Sequence, residues 1–201
     1  MAQSREYMQR LIDLKPGDQA RLRQLAGEGL DHSLQGFDLF TGVWWSLRQM
    51  NQNAPERRSA WLVAKLFGSF PIPCWDETLA HALGRLEPRG FGDNEKKART
   101  RYRNRFDALL LSPLSLLEPH LSWALLTIRR EIGRKHATGI NWPRLLDDLA
   151  KWDRERFDGR STSWVDIRES WAEQYFEFNR RRENADRNTH DTKPQSEQPE
   201  S

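Results

Sequence analysis

Ten basic side chains fall between residues 96 and 135, against three acidic ones, Asp107, Glu118 and Glu131. Seven of the ten are arginine. A guanidinium offers a planar fork of donors matched to phosphate oxygens, and it is never deprotonated in a protein. The segments on either side each carry a slight acidic excess, so the net charge of +3 comes from this one stretch. A positive field concentrated in this way on a folded domain is the usual footprint of a polyanion partner. A charge run can equally be a solvated face. Phosphate contacts of this kind give affinity without sequence choice and weaken steeply with salt. Tyr102 and Trp142 lie near the basic groups and are the candidates to stack on unpaired bases. Aromatics at helical spacing more commonly belong to a core.

Other chemistries find little support. The histidines (His32, His81, His120, His136 and His190) are scattered, and none has the i+3 or i+4 partner that would suggest a metal site. Cys74, in PIPCW, has no obvious base nearby, and a buried structural thiol is the expectation. Asp147 and Asp148 are paired in sequence only, because neighbours on a helix point about 100° apart. No GxxxxGK[ST], GxGxxG or GxSxG occurs. The expectation is a non-enzyme with no metal and no cofactor.

The elements that position the basic groups read as helices. Over 94–111, Phe106 and Leu110 share a face with Tyr102 and Leu109 close by. Lys97, Arg101 and Arg105 then line one flank of that stripe, and Lys96, Arg99 and Arg103 the other. Ser112-Pro113 breaks the pattern. A second helix starts near 114, and its continuation over 121–134 buries Leu121, Leu125, Ile128 and Ile132. Arg129, Arg130 and Arg134 face outward, with Lys135 following. Basic residues here also complement the helix macrodipole, at about 0.3–1 kcal/mol each.

Upstream, Tyr7, Met8, Leu11 and Ile12 predict a helix over 5–14. Pro16-Gly17-Asp18 ends it, and Asp18 is placed to cap the next helix, with Leu22 and Leu25 inward. The glycines of 27–36 read as a loop. Over 37–50, Phe37, Phe40, Trp44 and Leu47 share a face, leaving Trp45 and Met50 for a second contact. A polar loop follows, with a helix start at Pro55. Residues 59–69 are apolar nearly all round and so read as buried, up to the stop at Pro71-Ile72-Pro73. A short helix over 76–85 puts Leu79, Ala80 and Leu83 inward. Downstream, Asn141 is a plausible cap with Pro143 in the first turn. Trp142, Leu145, Leu149 and Trp152 form the apolar face there. A last helix over 163–178 repeats Trp164, Ile167, Trp171, Tyr175 and Phe178.

The totals place these elements in an all-α protein of two small bundles without a sheet: an N-terminal lobe (1–88), a C-terminal lobe with the basic face (89–179), and a disordered polar tail (180–201). The tail has one aliphatic residue and no aromatic, too little to offset the entropy of ordering. Nine tryptophans suit core and interface positions. One cysteine excludes a disulfide framework. With no signal peptide, and no apolar run near the ~20 residues needed to span a bilayer, the expectation is a soluble, cytoplasmic protein without a membrane partner.

The runs RYRNRFDALL, SWALLTIRREI, INWPRLLDDLAKWD and ESWAEQYF, in that order, resemble the CasB-type small subunit of the type I-E CRISPR Cascade complex. DQARLRQL, WLVAKLFGSFP and ALGRL agree with it, and the resemblance spans about residues 8–178. It implies an all-helical, two-lobed, non-catalytic subunit. Two copies would lie along a crRNA-bearing complex, against the repeated backbone subunit and the large PAM-reading subunit. It implies that basic residues steady the R-loop, holding the displaced non-target strand of the target DNA and lying close to the crRNA–target hybrid. By position, Arg23 falls in the family's AxLR-type segment, Arg85 in its GR segment, Arg103 and Arg105 in the RF segment, and Arg129 and Arg130 in the double-basic helix. Arg144 follows the [I/L][N/D][W/Y] signature. Arg99, Arg101, Arg134 and Lys135 complete the candidate nucleic-acid set from the basic stretch. The chain departs from the family pattern in its long tail and its extended 86–97 loop. The alternative is a helical protein–protein adaptor that touches no nucleic acid.

Overall fold

One helix is buried on every side beyond its first turn. In α4 (Arg57–Ser69) every residue from Ser59 to Gly68 is buried, as its continuous apolar composition predicts. The other helices are α1 (Ala2–Ile12), α2 (Pro16–Gln24), α3 (Leu34–Asn51), α5 (Leu79–Leu86), α6 (Asp93–Leu111), α7 (Glu118–Glu131) and α8 (Trp142–Leu149), with a 3-10 turn at Leu114–Leu116. Residues 167–177 are also helical and are called α9. The computed structural model describes residues 2–29, 34–51, 54–90, 92–132, 139–153 and 167–177. Among these the fold is all-α with no sheet, and an isolated parallel bridge joins Cys74 and Ile140. No described helix is long and apolar enough to cross a membrane. Trp164, Phe178, Arg134, Lys135 and the 180–201 tail lie outside the described residues.

α4 packs on α2, α3, α7 and α8; α1 packs on α3 and α8; α7 packs on α5 and α6. The inward residues read from the sequence form one continuous core, with Tyr7, Leu22, Phe40, Trp44, Leu83, Phe106, Leu125, Trp142 and Trp171 all buried in it. The proposed lobe boundary falls in the connection between α5 and α6.

The tryptophans act as staples, because a buried indole N–H needs an acceptor. Trp44 Nε1 donates to Pro55 O at 2.9 Å, Trp61 Nε1 to Glu28 O at 3.1 Å and Trp142 Nε1 to Ile72 O at 2.9 Å. Trp152 Nε1 donates to Ser112 O at 2.9 Å and Trp171 Nε1 to the Asp148 carboxylate at 2.8 Å. Each bond fixes a loop or a neighbouring helix onto a packed ring. The last helix closes on α5 at Gly84, where a Cβ would stand 2.2 Å from Tyr175 O. Only a residue without a side chain permits that approach. Tyr175 then stacks on Phe106 at 4.1 Å between centroids.

Several local readings are corrected. Asp18 is not a cap: α2 begins at Pro16, whose fixed φ suits a first turn, and Asp18 sits within that turn. α3 starts at Leu34, inside the stretch read as a loop. α4 starts at Arg57 rather than Pro55, because the Glu56 carboxylate accepts from Arg58 N and Ser59 N. α7 stops at Glu131, and Ile132 is only half-buried. Cys74 is exposed, not buried, since its segment runs along the surface and gives the core Ile72 instead.

Lys65 is the charge that α4 buries. Its Nζ lies 2.6 Å from Glu118 Oε2 on α7 and 2.7 Å from Glu28 O. Glu118 Oε1 also accepts from Gly27 N at 2.7 Å. Lys65→Ala strands the Glu118 carboxylate and is expected to lower the unfolding free energy in urea by about 3 kcal/mol. Lys65→Met with Glu118→Gln should recover more than half of that loss.

Burial by itself raises the Glu56 carboxyl pKa, but hydrogen bonds from Arg58 N, Ser59 N and the Ser59 hydroxyl outweigh it and hold the value below the ordinary 4.5. A depressed carboxyl stabilises the fold fully above pH 4.5 and loses that contribution as pH falls through the folded value. Glu56→Gln should therefore cost about 1 kcal/mol at pH 7. The difference from the parent should narrow as urea midpoints are measured at progressively lower pH.

Candidate nucleic-acid interface

The two flanks of α6 have different fates. The buried stripe is Tyr102, Phe106 and Leu109, with Leu110 half-buried. On one side Arg103 Nε donates to Glu87 Oε1 at 2.6 Å, and its Cζ stands 6.0 Å from the Phe176 ring centroid on α9. Arg99 Nε donates to Pro88 O at 3.2 Å and lies 3.7 Å from the same Glu87 oxygen. Glu87 is 4% exposed. Its hydrogen bond raises the Arg103 pKa above the ordinary guanidinium value. Burial first, and then the Glu87 charge, pushes the Tyr102 and Tyr175 phenols upward.

The opposite flank faces outward. Lys97, Arg101 and Arg105 are exposed at i, i+4 and i+8. Arg101 Nε reaches the Lys97 carbonyl at 3.4 Å. Arg105 Cζ lies 5.7 Å from the centroid of Trp123 on α7, a cation–π contact that leaves its donors available. Trp123 packs edge-on to Tyr102 at 5.2 Å, so this flank lies along the seam with α7. Arg130 shares the Trp123 face of α7, seven residues and about 10 Å along the axis. Arg129 and Arg130 are both exposed, and Arg129 makes one long contact, 3.5 Å, to Ser69 O. Among the described residues Arg101, Arg105, Arg129 and Arg130 have no carboxylate partner.

The remaining candidates are placed elsewhere. Arg85 pairs with Glu77 through two bonds, 2.9 and 2.7 Å, with its side chain 16% exposed. Arg144 Nε stands 2.9 Å from Asp148 Oδ1. Burial raises the Asp148 pKa, and the Trp171 N–H and Arg144 oppose it. Arg23 Nε donates to Gly68 O at 3.1 Å. Arg134 and Lys135 lie outside the described residues. Tyr102 and Trp142 are not stacking platforms. Both rings are buried, with the Tyr102 hydroxyl on Leu83 O and the Trp142 N–H on Ile72 O.

Sequence reading missed Glu87 and Glu77, because an acid that neutralises an arginine eight to sixteen residues away leaves no local signature. It also passed over Glu77 at i−4 from His81, 3.1 Å from Nδ1. Among the described residues no three His, Cys, Asp or Glu side chains gather as a metal site.

Residues 18–176 match the family model for the CRISPR-associated protein Cse2. The chain belongs to the CRISPR-associated Cse2 family. Cse2 proteins are non-catalytic, and membership supports a Cascade small-subunit role within that complex. The fold is that of solved CasB structures. It is similar to M. ruber CasB at 21% identity, with a TM-score of 0.66 over 91% of this chain and 97% of that one. CasB from Thermus thermophilus aligns at 19% identity and a TM-score of 0.53, over 85% and 94% of the two chains. A second Thermus thermophilus structure, of a CRISPR-associated protein of the Cse2 family, aligns at 20% identity with a TM-score of 0.53, over 85% and 94% of the two chains. No curated protein matches the chain.

Glu87→Gln and Arg103→Gln test whether the Arg103 charge is held within the fold. Their double-mutant cycle should return a coupling near 1 kcal/mol in urea unfolding, the low end for a charged pair because Arg103 is 43% exposed.

Proposed function

We propose that this chain is the small subunit of a type I-E Cascade surveillance complex and steadies its R-loop in defence against foreign DNA. In this reading the outer flank of α6 and the end of α7 hold the displaced non-target strand and lie beside the crRNA–target hybrid. Its protein partners are the repeated backbone subunit, the large subunit and a second copy of itself. The observation that carries the reading is the group of four exposed guanidiniums, Arg101, Arg105, Arg129 and Arg130, with no carboxylate partner among the described residues. Lys97 extends the row. Arg134 and Lys135, which follow in sequence, lie outside the described residues. Arg85, Arg103 and Arg144 serve the row indirectly, by holding α5, α6 and α8 through Glu77, Glu87 and Asp148. Arg23 and Arg99 bond backbone oxygens and do the same for α2 and the 88–90 turn.

The energetics suit such a part. Exchanging a DNA duplex for an RNA–DNA hybrid is nearly balanced, so a few phosphate contacts to the open strand tip the exchange. Each contact releases counterions, and their number sets the salt dependence. The chain's small net charge keeps the free subunit from binding DNA tightly, while assembly adds its basic flank to a longer path.

Arg101, Arg105, Arg129 and Arg130 changed together to Glu should leave the reconstituted complex intact by size-exclusion chromatography. R-loop formation should weaken at least tenfold, and the slope of log K against log salt should flatten by about 0.7 for each single-strand phosphate no longer neutralised. Unchanged affinity and slope would sink the proposal. Loss of the subunit from the complex would favour the protein-only adaptor.

A further inference from the structure

A second aromatic and basic site lies away from α6 and α7. A groove of about 490 Å³ opens between α3 and the turn into α4, with Trp44, Trp45, Arg48, Pro55, Glu56 and Arg57 among its walls. Trp45 is 48% exposed, unusual for the largest apolar side chain. Its support is rigid. Trp44 beneath it is buried, bonded through its N–H to Pro55 O and stacked on Phe40 at 5.8 Å, and Trp45 leans on Trp44 at 6.1 Å.

The groove lining carries two arginines and one acid. Arg48 Cζ lies 5.4 Å from the Trp44 centroid, so an exposed guanidinium is held at the aromatic wall. Arg57 stands exposed on the other side, at the first residue of α4. The acid in the lining, Glu56, has both oxygens engaged: Oε1 accepts from Arg58 N at 3.0 Å, and Oε2 from Ser59 N and the Ser59 hydroxyl at 2.7 Å each. An exposed indole in a groove that also carries an exposed guanidinium is complementary to a planar aromatic group that carries an anion.

We infer that this groove binds an unpaired nucleotide, its base stacked on Trp45 and its phosphate drawn to Arg48. The inference rests on the reading above that the subunit meets single-stranded nucleic acid, and it adds a contact of a different physical kind. Base–indole stacking tolerates any base and does not release counterions, whereas the arginine flank of α6 and α7 gives a salt-dependent, base-blind contact. One strand held at both sites is fixed by its bases as well as by its backbone.

The test compares a short fluorescent single-stranded DNA with the same strand carrying abasic sites, using the full-length protein across a salt series. The parent should prefer the intact strand by about tenfold. Trp45→Ala should remove that preference without changing the salt slope, and Trp45→Phe should restore it. Arg101→Glu with Arg105→Glu should flatten the slope and keep the preference. No preference in the parent, or one that survives Trp45→Ala, overturns the site. So does a Trp45→Ala subunit that keeps the preference but drops out of the reconstituted complex, which would assign the groove to a protein segment. A lost preference beside an unmoved slope in the arginine variant would leave this site standing and remove the α6–α7 track.

Discussion

Lys65 sits in the middle of a helix that is buried on every side beyond its first turn, and the fold is arranged so that its ammonium is never alone. Glu118 reaches it from the start of α7 and the Glu28 carbonyl from the turn after α2, while the Trp61 ring lies 5.6 Å from the nitrogen. An unpaired charge at 4% exposure costs several kcal/mol, so these three elements cannot separate independently. The same Glu118 takes the Gly27 N–H, which ties the α2 turn to α7 a second time. With α7 fixed against α4, the positions of Trp123, Arg129 and Arg130 follow.

Ion pairing then sorts the arginines. Buried or half-buried acids at Glu77, Glu87 and Asp148 neutralise Arg85, Arg103 and Arg144 inside the molecule. Such pairs set the orientation of α5, α6, α8 and α9 more than they add stability, since desolvation offsets much of their attraction. Arg101, Arg105, Arg129 and Arg130 meet no such acid among the described residues. A stretch that is uniformly basic in sequence thus becomes, on folding, one internally balanced side and one side left for an external anion. This division, rather than the total charge, is what the proposed R-loop role uses.

Aromatic residues divide in the same manner. Trp44, Trp61, Trp142, Trp152 and Trp171 each satisfy the indole N–H on an internal oxygen and belong to the core. Trp45, one residue from the buried Trp44, projects from the same helix into a groove with arginines on its walls. Helical geometry requires that split, because consecutive residues differ by about 100°.

The amino-acid sequence by itself determined the helices, their inward stripes and the continuous burial of α4, because apolar periodicity is a local property that a packed core must respect. It also carried the two flanks of α6, which follow from spacing along one helix, and the order of motifs by which the family is read. It did not determine which arginines are free. The partners of Arg85, Arg103 and Lys65 lie eight to fifty-three residues away, and only the packing of the segments that carry them brings them within 3 Å. Nor did it expose Cys74 or bury Tyr102, since both outcomes depend on what lies across from the segment. Charge spacing is written along the chain, but neutralisation is a contact between chain segments, and contacts exist only after folding.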